Sequence, residues 1–245
     1  MRSSSVRRFL VCGRLDGREE VLERLVVAAH ARRPDLLLFC GGVLDPAARS
    51  LDRSPGTERL RRDRVLLERF FHTLGQLKTR AAVIPGAADA PLREFLRVGM
   101  NAEVEFPGAH VVHDVLLEEG DVAVAGVGGD LTAAEDSLEA AVRHSRVLAD
   151  YFLRELRDAR QSLKVLLLAV PPTGRLGGAA GSAIATELID SHHPFLCVVG
   201  GPEATRGWER AARTLIVNPG ELSAGSAAWV DLTRGTEEQV ELIRI

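Results

Sequence analysis

Five short segments combine turn residues with side chains able to do chemistry. They are Arg14-Leu15-Asp16-Gly17, Gly41-Gly42-Val43-Leu44-Asp45, Pro85-Gly86-Ala87-Ala88-Asp89, Val170-Pro171-Pro172-Thr173-Gly174 and Gly200-Gly201-Pro202-Glu203. Their charged side chains are one guanidinium, Arg14, and the carboxylates of Asp16, Asp45, Asp89 and Glu203. Carboxylates brought together hold divalent cations through hard oxygen ligands. A guanidinium stays protonated and has no free lone pair, so it repels a cation or grips an anion. Arg14 is therefore expected to pair with at least one of these acids, or to hold a phosphate with the help of helix N-termini and glycine-rich turns. Asp45 and Asp89 are also placed to cap or brace turns, a structural task.

The remaining reactive side chains carry weaker patterns. His30, His72, His110, His113, His144, His192 and His193 all read as surface or turn residues, and on a strand His110 and His113 would face opposite sides. Ser182 lacks the Gly-x-Ser-x-Gly pattern of a nucleophile elbow. Gly126-Val127-Gly128-Gly129 follows an apolar run and is able to approach a phosphate, but it lacks the Lys-Ser/Thr of a phosphate-binding loop. Arg59, Arg61, Arg62 and Arg64 are interleaved with Glu58 and Asp63, as on a solvated helix face. Cys12, Cys40 and Cys197 lie in or at the ends of apolar runs and read as reduced, buried thiols.

The elements that must position these residues follow from apolar periodicity. Arg8–Cys12 and Leu36–Cys40 read as buried strands flanking a helix over 18–33, with Val21, Leu22, Leu25, Val26 and Ala29 on one face. Such a strand–helix–strand unit makes a parallel pair. Pro46–Gly56 reads as a mobile loop, Thr57–Leu77 as a helix, Ala81–Ile84 as a strand and Pro91–Val98 as a short helix. Val111–Leu117 and Asp121–Val127 flank Glu118-Glu119-Gly120, a hairpin signal. Ala133–Arg160 reads as one long amphipathic helix, Leu163–Ala169 as a strand, Ala183–Asp190 as a helix and Phe195–Val199 as a strand. Three strands close the chain: Thr214–Val217, Ala227–Leu232 and Gln239–Ile243. Parallel units followed by antiparallel strands, with helices between, predict a two-sheet α/β sandwich with helices on both outer faces. No internal repeat or linker divides residues 1–245.

The five segments, in this order, resemble the motifs of the calcineurin-like metallophosphoesterases, which read Asp-x-His-Gly, Gly-Asp-x-x-Asp, Gly-Asn-His-Asp, His-x-Pro and Gly-His-x-His. Asn218-Pro219-Gly220 matches a late turn of the same family. The resemblance implies a four-layer α/β/β/α sandwich of two mixed sheets and a binuclear metal site. It also implies that most of the ligands are gone. Arg14 and Asp16 stand at the positions of the first Asp and His, and Gly42 at that of the bridging Asp. Ala87 and Ala88 stand for the Asn ligand and the acid His, Val170 for the next His, and Gly201 and Glu203 for the last two. Of the ligand positions, only Asp16 and Glu203 still carry a metal-binding group. Gly17, Gly41, Gly86 and Gly200 remain where strands turn sharply into loops, which suits positive φ.

The 245 residues carry a net charge of −3 and 46% hydrophobic residues, enough for one full core and a poor match to a general nucleic-acid or membrane-surface binder. Lys78 and Lys164 are the only lysines, an arginine bias typical of a GC-rich bacterial genome. No apolar run is long enough for a signal peptide or a bilayer span, so a cytoplasmic location is expected. The reading is a pseudoenzyme of the metallophosphoesterase family with no cofactor, acting on a protein partner as a binding, scaffold or regulatory subunit. The alternatives are a metal-free phosphate- or nucleotide-binding module, or a phosphoesterase with a site rebuilt from Asp16, Glu203, Asp45 or Asp89.

Overall fold

Strand β1 (Arg8–Cys12) runs parallel to β2 (Leu36–Phe39) with Phe9 opposite Leu36, and the 12 residues of helix α1 (Val21–Arg32) connect them. The structure is a computed structural model that describes residues 5–47, 56–131, 141–233 and 239–245. Helix α1 ends where Arg33 takes a left-handed conformation before Pro34. Helix α2 (Thr57–Gly75) leads to β3 (Arg80–Val83), and α3 (Leu92–Glu105) to β4 (Ala109–Val111). Strands β5 (Leu117–Glu119) and β6 (Val122–Val127) form a hairpin. A small parallel pair follows, β7 (Asp130–Leu131) with β8 (Arg143–His144), then helices α4 (Arg146–Phe152) and α5 (Arg154–Asp158). The rest comprises β9 (Leu163–Leu168), α6 (Ala183–His192), β10 (Leu196–Val199), β11 (Gly207–Ala211), β12 (Thr214–Asn218), β13 (Ser226–Asp231) and β14 (Val240–Arg244).

Two mixed six-stranded sheets result, in the orders β14-β13-β1-β2-β3-β4 and β11-β12-β10-β9-β6-β5. Strand alternation divides the side chains into layers. Phe9, Val11, Leu36, Leu38 and Cys40 meet Val122, Val165, Leu167 and Val198 between the sheets. Leu10, Cys12, Leu37 and Phe39 point outward against Leu25 of α1, Phe70 and Phe71 of α2 and Phe95 of α3. Ala123, Leu166 and Val199 face Ala149 of α4, Leu156 of α5 and Leu188 of α6. The architecture is thus the four-layer α/β/β/α sandwich, and its central strands are apolar on both faces because both are covered.

Several expectations are corrected. The run Val111–Leu117 is not one strand, because Asp114 adopts φ 58° and turns the chain out of the first sheet toward the second. The helix expected over 133–160 begins only after Ser145, whose hydroxyl accepts from Leu148 N at 3.4 Å and caps α4. Ahead of it Arg143–His144 is extended, and Leu153 separates α4 from α5; residues 132–140 lie outside the described set. So do residues 48–55 of the expected loop. Helix α3 runs on to Glu105, well past Val98. Strand β11 was missed because it is a half-exposed edge with no apolar run.

Cys12, Cys40 and Cys197 are free and buried. Burial pushes the Cys40 thiol up to about 12 and the other two well up as well, so none supplies thiolate at neutral pH. Cys12 packs with α1–α3, Cys40 between the sheets, where its thiol donates to Cys12 O at 3.3 Å, and Cys197 under α4–α6; no two of them are joined in a disulfide. A thiol reagent should label none of them within minutes in the native protein and all three after denaturation. Rapid native labelling of all three would contradict the packing.

Candidate functional site

The loops that leave the C-terminal ends of β1, β2, β3, β10 and β12 converge at one end of the sandwich. Asp89 ties two of them together. Its carboxylate is fully buried and accepts four backbone N–H groups: Gly42 (3.1 Å), Val43 (3.1 Å), Leu44 (2.7 Å) and Gly86 (2.7 Å). Burial pushes this carboxyl above the ordinary range, against the pull of those amides. The loop it fixes receives the first one, since Gly41 O accepts Arg14 N (2.7 Å), Gly42 O accepts Asp16 N (3.0 Å) and Val43 O accepts Gly17 N (2.9 Å). Arg14 (φ 57°) and Asp16 (φ 49°) are both left-handed, a conformation that costs a non-glycine residue about 1 kcal/mol or more and that these hydrogen bonds hold in place.

The Arg14 side chain is clamped by two acids. Its Nη2 lies 3.2 Å from Asp16 Oδ2 and its Nη1 lies 2.6 Å from Glu221 Oε1. Asp16 also accepts from the Ser223 hydroxyl at 3.3 Å. Glu221 and Glu203 cap each other's backbones: Glu203 N donates to Glu221 Oε1 (3.3 Å) and Glu221 N to Glu203 Oε2 (3.0 Å). Glu203 further accepts from Ser226 (2.8 Å) and pairs with Arg244 (2.8 Å). Arg206, beside it, donates to the carbonyls of Pro219, Ala227 and Ile243. Burial pushes Asp16 up, with Arg14 opposing. Burial also works on Glu203, but the Glu221 amide, Ser226, Arg244 and Arg206 hold it below the ordinary range. Around the clamp, the guanidinium groups of Arg14, Arg206 and Arg244 thus stand beside the carboxylates of Asp16, Glu203 and Glu221.

Not every expected residue joins them. Asp45 is exposed and accepts Ala47 N (2.9 Å), a turn cap. Ala87 and Ala88 are half-buried, and Ala87 O accepts Val142 N (2.9 Å). Val170 packs against the core under α4–α6. Gly201 is closed off, because a Cβ there would lie 2.3 Å from Asn218 Nδ2. Gly42 (φ 82°) is pressed against Arg14, whose Cα would sit 3.1 Å and Cγ 3.3 Å from a Cβ. Gly17 and Gly41 do take positive φ (79° and 90°), whereas Gly86 and Gly200 do not. Those two are small for close approach: a Cβ on Gly86 would meet Gly42 N at 2.4 Å, and one on Gly200 would meet Ala169 O at 2.7 Å.

The sequence reading missed Glu221, Ser223, Arg206 and Arg244. Glu221 was findable, as it directly follows the Asn218-Pro219-Gly220 turn. The glycines at 126 and 128 serve packing, not phosphate: Cβ atoms there would lie 2.7 Å from Ile84 and 2.4 Å from Pro85. The surface reading fails for His113, His144 and His192, which are 4%, 1% and 6% exposed.

A family model described as metallophosphoesterase, calcineurin superfamily, matches residues 1–244. The chain belongs to that superfamily. Among solved structures it is similar to one with 27% identity and a TM-score of 0.86, covering 97% of this chain and 98% of the other. It is also similar to TT1561 of Thermus thermophilus, at 26% identity and a TM-score of 0.79, with 98% and 99% covered. A dimetal phosphatase from Danio rerio shares the fold at 9% identity and a TM-score of 0.60, covering 98% and 96%. No curated protein matches the sequence.

Family membership implies two metal ions, and the residues present do not fit them. A bridging carboxylate at position 42 has no room while Arg14 stays where it is. The guanidinium places positive charge beside Asp16 and Glu221, two of the acids a cation would need. Among the described residues, no group of three or more His, Cys, Asp or Glu is arranged to hold a metal.

Two substitutions test this geometry. Asp89→Ala leaves four amides without an acceptor, and should destabilise by about 3–5 kcal/mol, lowering the melting temperature by about 10 °C. Arg14→Ala should cost about 1–2 kcal/mol, since its pairs are partly solvated. Arg18→Ala, whose pair with Glu20 is 3.9 Å long and exposed, should change the melting temperature little. Equal effects of Arg14→Ala and Arg18→Ala in a thermal melt would contradict the clamp.

Proposed function

We propose that this protein is a non-hydrolytic member of its superfamily that works by binding. The observation that carries the reading is Arg14, clamped by Asp16 and Glu221 against a glycine at the bridging position. Metal-assisted phosphoester hydrolysis needs an activated water and an acid for the leaving group. At the corresponding positions Arg14, Gly42, Ala87, Ala88, Val170 and Gly201 supply neither. The retained fold then serves as a scaffold or regulatory subunit for a protein partner in the cytoplasm. No helix among the described residues is long and apolar enough to cross a membrane.

The alternative of Arg14 as a phosphate or nucleotide holder is less well supported. Its Nη1 and Nη2 are already paired with carboxylates, whose negative charge would repel an incoming anion. Similarity of fold to a dimetal phosphatase supports ancestry in hydrolysis, not its retention.

Purified protein should carry no stoichiometric Mn, Fe, Zn or Ni by elemental analysis, and should not hydrolyse bis-p-nitrophenyl phosphate with any of them added. Inorganic phosphate and nucleotides should leave its melting temperature unchanged. Two metals per chain, with turnover lost in Asp16→Ala, would overturn the proposal; a phosphate-induced rise that Arg14→Ala abolishes would favour the anion-binding alternative.

A further inference from the structure

Away from the arginine clamp, two imidazoles are packed ring to ring in the interior. His113 follows β4 and His144 ends β8; their centroids are 5.0 Å apart with planes at 33°. Phe152 of α4 stands edge-on to both, at 5.0 and 5.2 Å. His113 Nδ1 accepts the Gly128 amide at 3.0 Å, which places its proton on Nε2. That Nε2 and both nitrogens of His144 are buried with no hydrogen-bond partner among the described residues.

Most of the surrounding charges are engaged elsewhere. Asp114, next to His113, pairs with Arg154 of α5. On α4, Arg146 pairs with Glu187 of α6 and with Asp150, and Asp150 also meets Arg157 and His192. Asp130 and Arg143 of the small sheet are half-buried, and Arg143 has an interaction of its own. Among the described residues, the titratable group that acts on His113 is His144, and because that repulsion is mutual each ring disfavours a proton on the other. Burial, with His144 adding to it, holds His113 down to about 3, and burial pushes His144 down as well.

The backbone around the pair leads to the clustered loops. Val142 N donates to Ala87 O (2.9 Å), Gly129 N to Pro85 O (2.9 Å) and Asp130 N to Val142 O (2.8 Å). The segment that His144 anchors is therefore bonded to the loop that carries Ala87 and Asp89.

We propose that His113 and His144 form an acid-sensitive latch: with both rings neutral they pin β8 and α4 to the Pro85–Asp89 loop, and protonating either ring releases them. A proton on His113 Nδ1 would set two donors, N–H against the Gly128 N–H, face to face. A proton on His144 would place a charge between His113 and Phe152 with no acceptor. Because both groups bind protons less readily when folded, the latch is fully closed above the ordinary histidine value near 6.5 and weakens as pH falls below it. The inference does not depend on whether the clamp binds anything.

The test is amide hydrogen exchange of the wild-type protein from pH 8 to 5, corrected for intrinsic rates. Protection at Gly128, Gly129 and Val142 should fall below about 6.5 by about tenfold per pH unit for each ring that takes a proton on opening, up to about a hundredfold for both, while Leu10 and Leu37 in the central strands stay protected. His113→Asn keeps an acceptor for Gly128 and His144→Phe keeps the ring contact, so the double variant should lose that dependence. Should it fail to fold, NMR titration of the wild-type imidazoles decides. In the closed state His113 should stay neutral to below pH 5 and His144 should titrate below the ordinary histidine value; titration of both near 6.5 with protection intact would overturn the latch. So would pH-independent wild-type protection, or a double variant that keeps the wild-type slope.

Discussion

The arrangement of this end of the molecule depends on one carboxylate that touches no solvent. Asp89 gathers four amides, three from the loop after β2 and one from the loop after β3. The β2 loop so fixed presents its carbonyls to Arg14, Asp16 and Gly17. The β1 loop in turn receives Leu222 N at Gly13 O (2.8 Å) and Ser223 N at Arg14 O (2.9 Å). Four loops are thus registered by backbone hydrogen bonds that start from one buried acid. A scaffold of this kind owes its register chiefly to backbone hydrogen bonds rather than to the side chains that line the pocket.

On that scaffold the residues at separate positions are physically linked. Gly42 lacks the side chain that would meet Arg14, and Arg14 fills the space that Gly42 leaves. Converging carboxylates repel one another unless a cation lies between them. Here Arg14 lies between Asp16 and Glu221, and Arg244 against Glu203. These guanidinium groups supply positive charge beside the carboxylates and offer no open coordination position. Restoring a single ligand would therefore meet both a steric and an electrostatic obstacle.

Much of this was legible in the sequence, for reasons that differ by element. The central strands announce themselves because both faces are covered, so Phe9–Cys12 and Leu36–Phe39 are unbroken apolar runs. The resemblance places Arg14 in a pocket with Asp16, Asp45, Asp89 and Glu203 and leads to the expectation that it pairs with at least one of them; the partner among these is Asp16. Glu221 is not in that set, because it arrives from more than 200 residues away in sequence, and long-range charge pairs leave no local pattern. The half-exposed edge strand β11 and the two-residue strands β7 and β8 lack periodicity for the same kind of reason: their partners, not their composition, make them strands. His113 and His144 were read as surface residues because burial of an imidazole against another imidazole has no signature in a single sequence.

The central claim is that a guanidinium stands where metal ions would bind. An anomalous difference map from crystals soaked in millimolar Mn2+ tests it most directly. The account predicts no peak among Asp16, Glu203 and Glu221, with Arg14 still bridging Asp16 and Glu221. A peak ligated by those carboxylates, with Arg14 displaced from them, would contradict it.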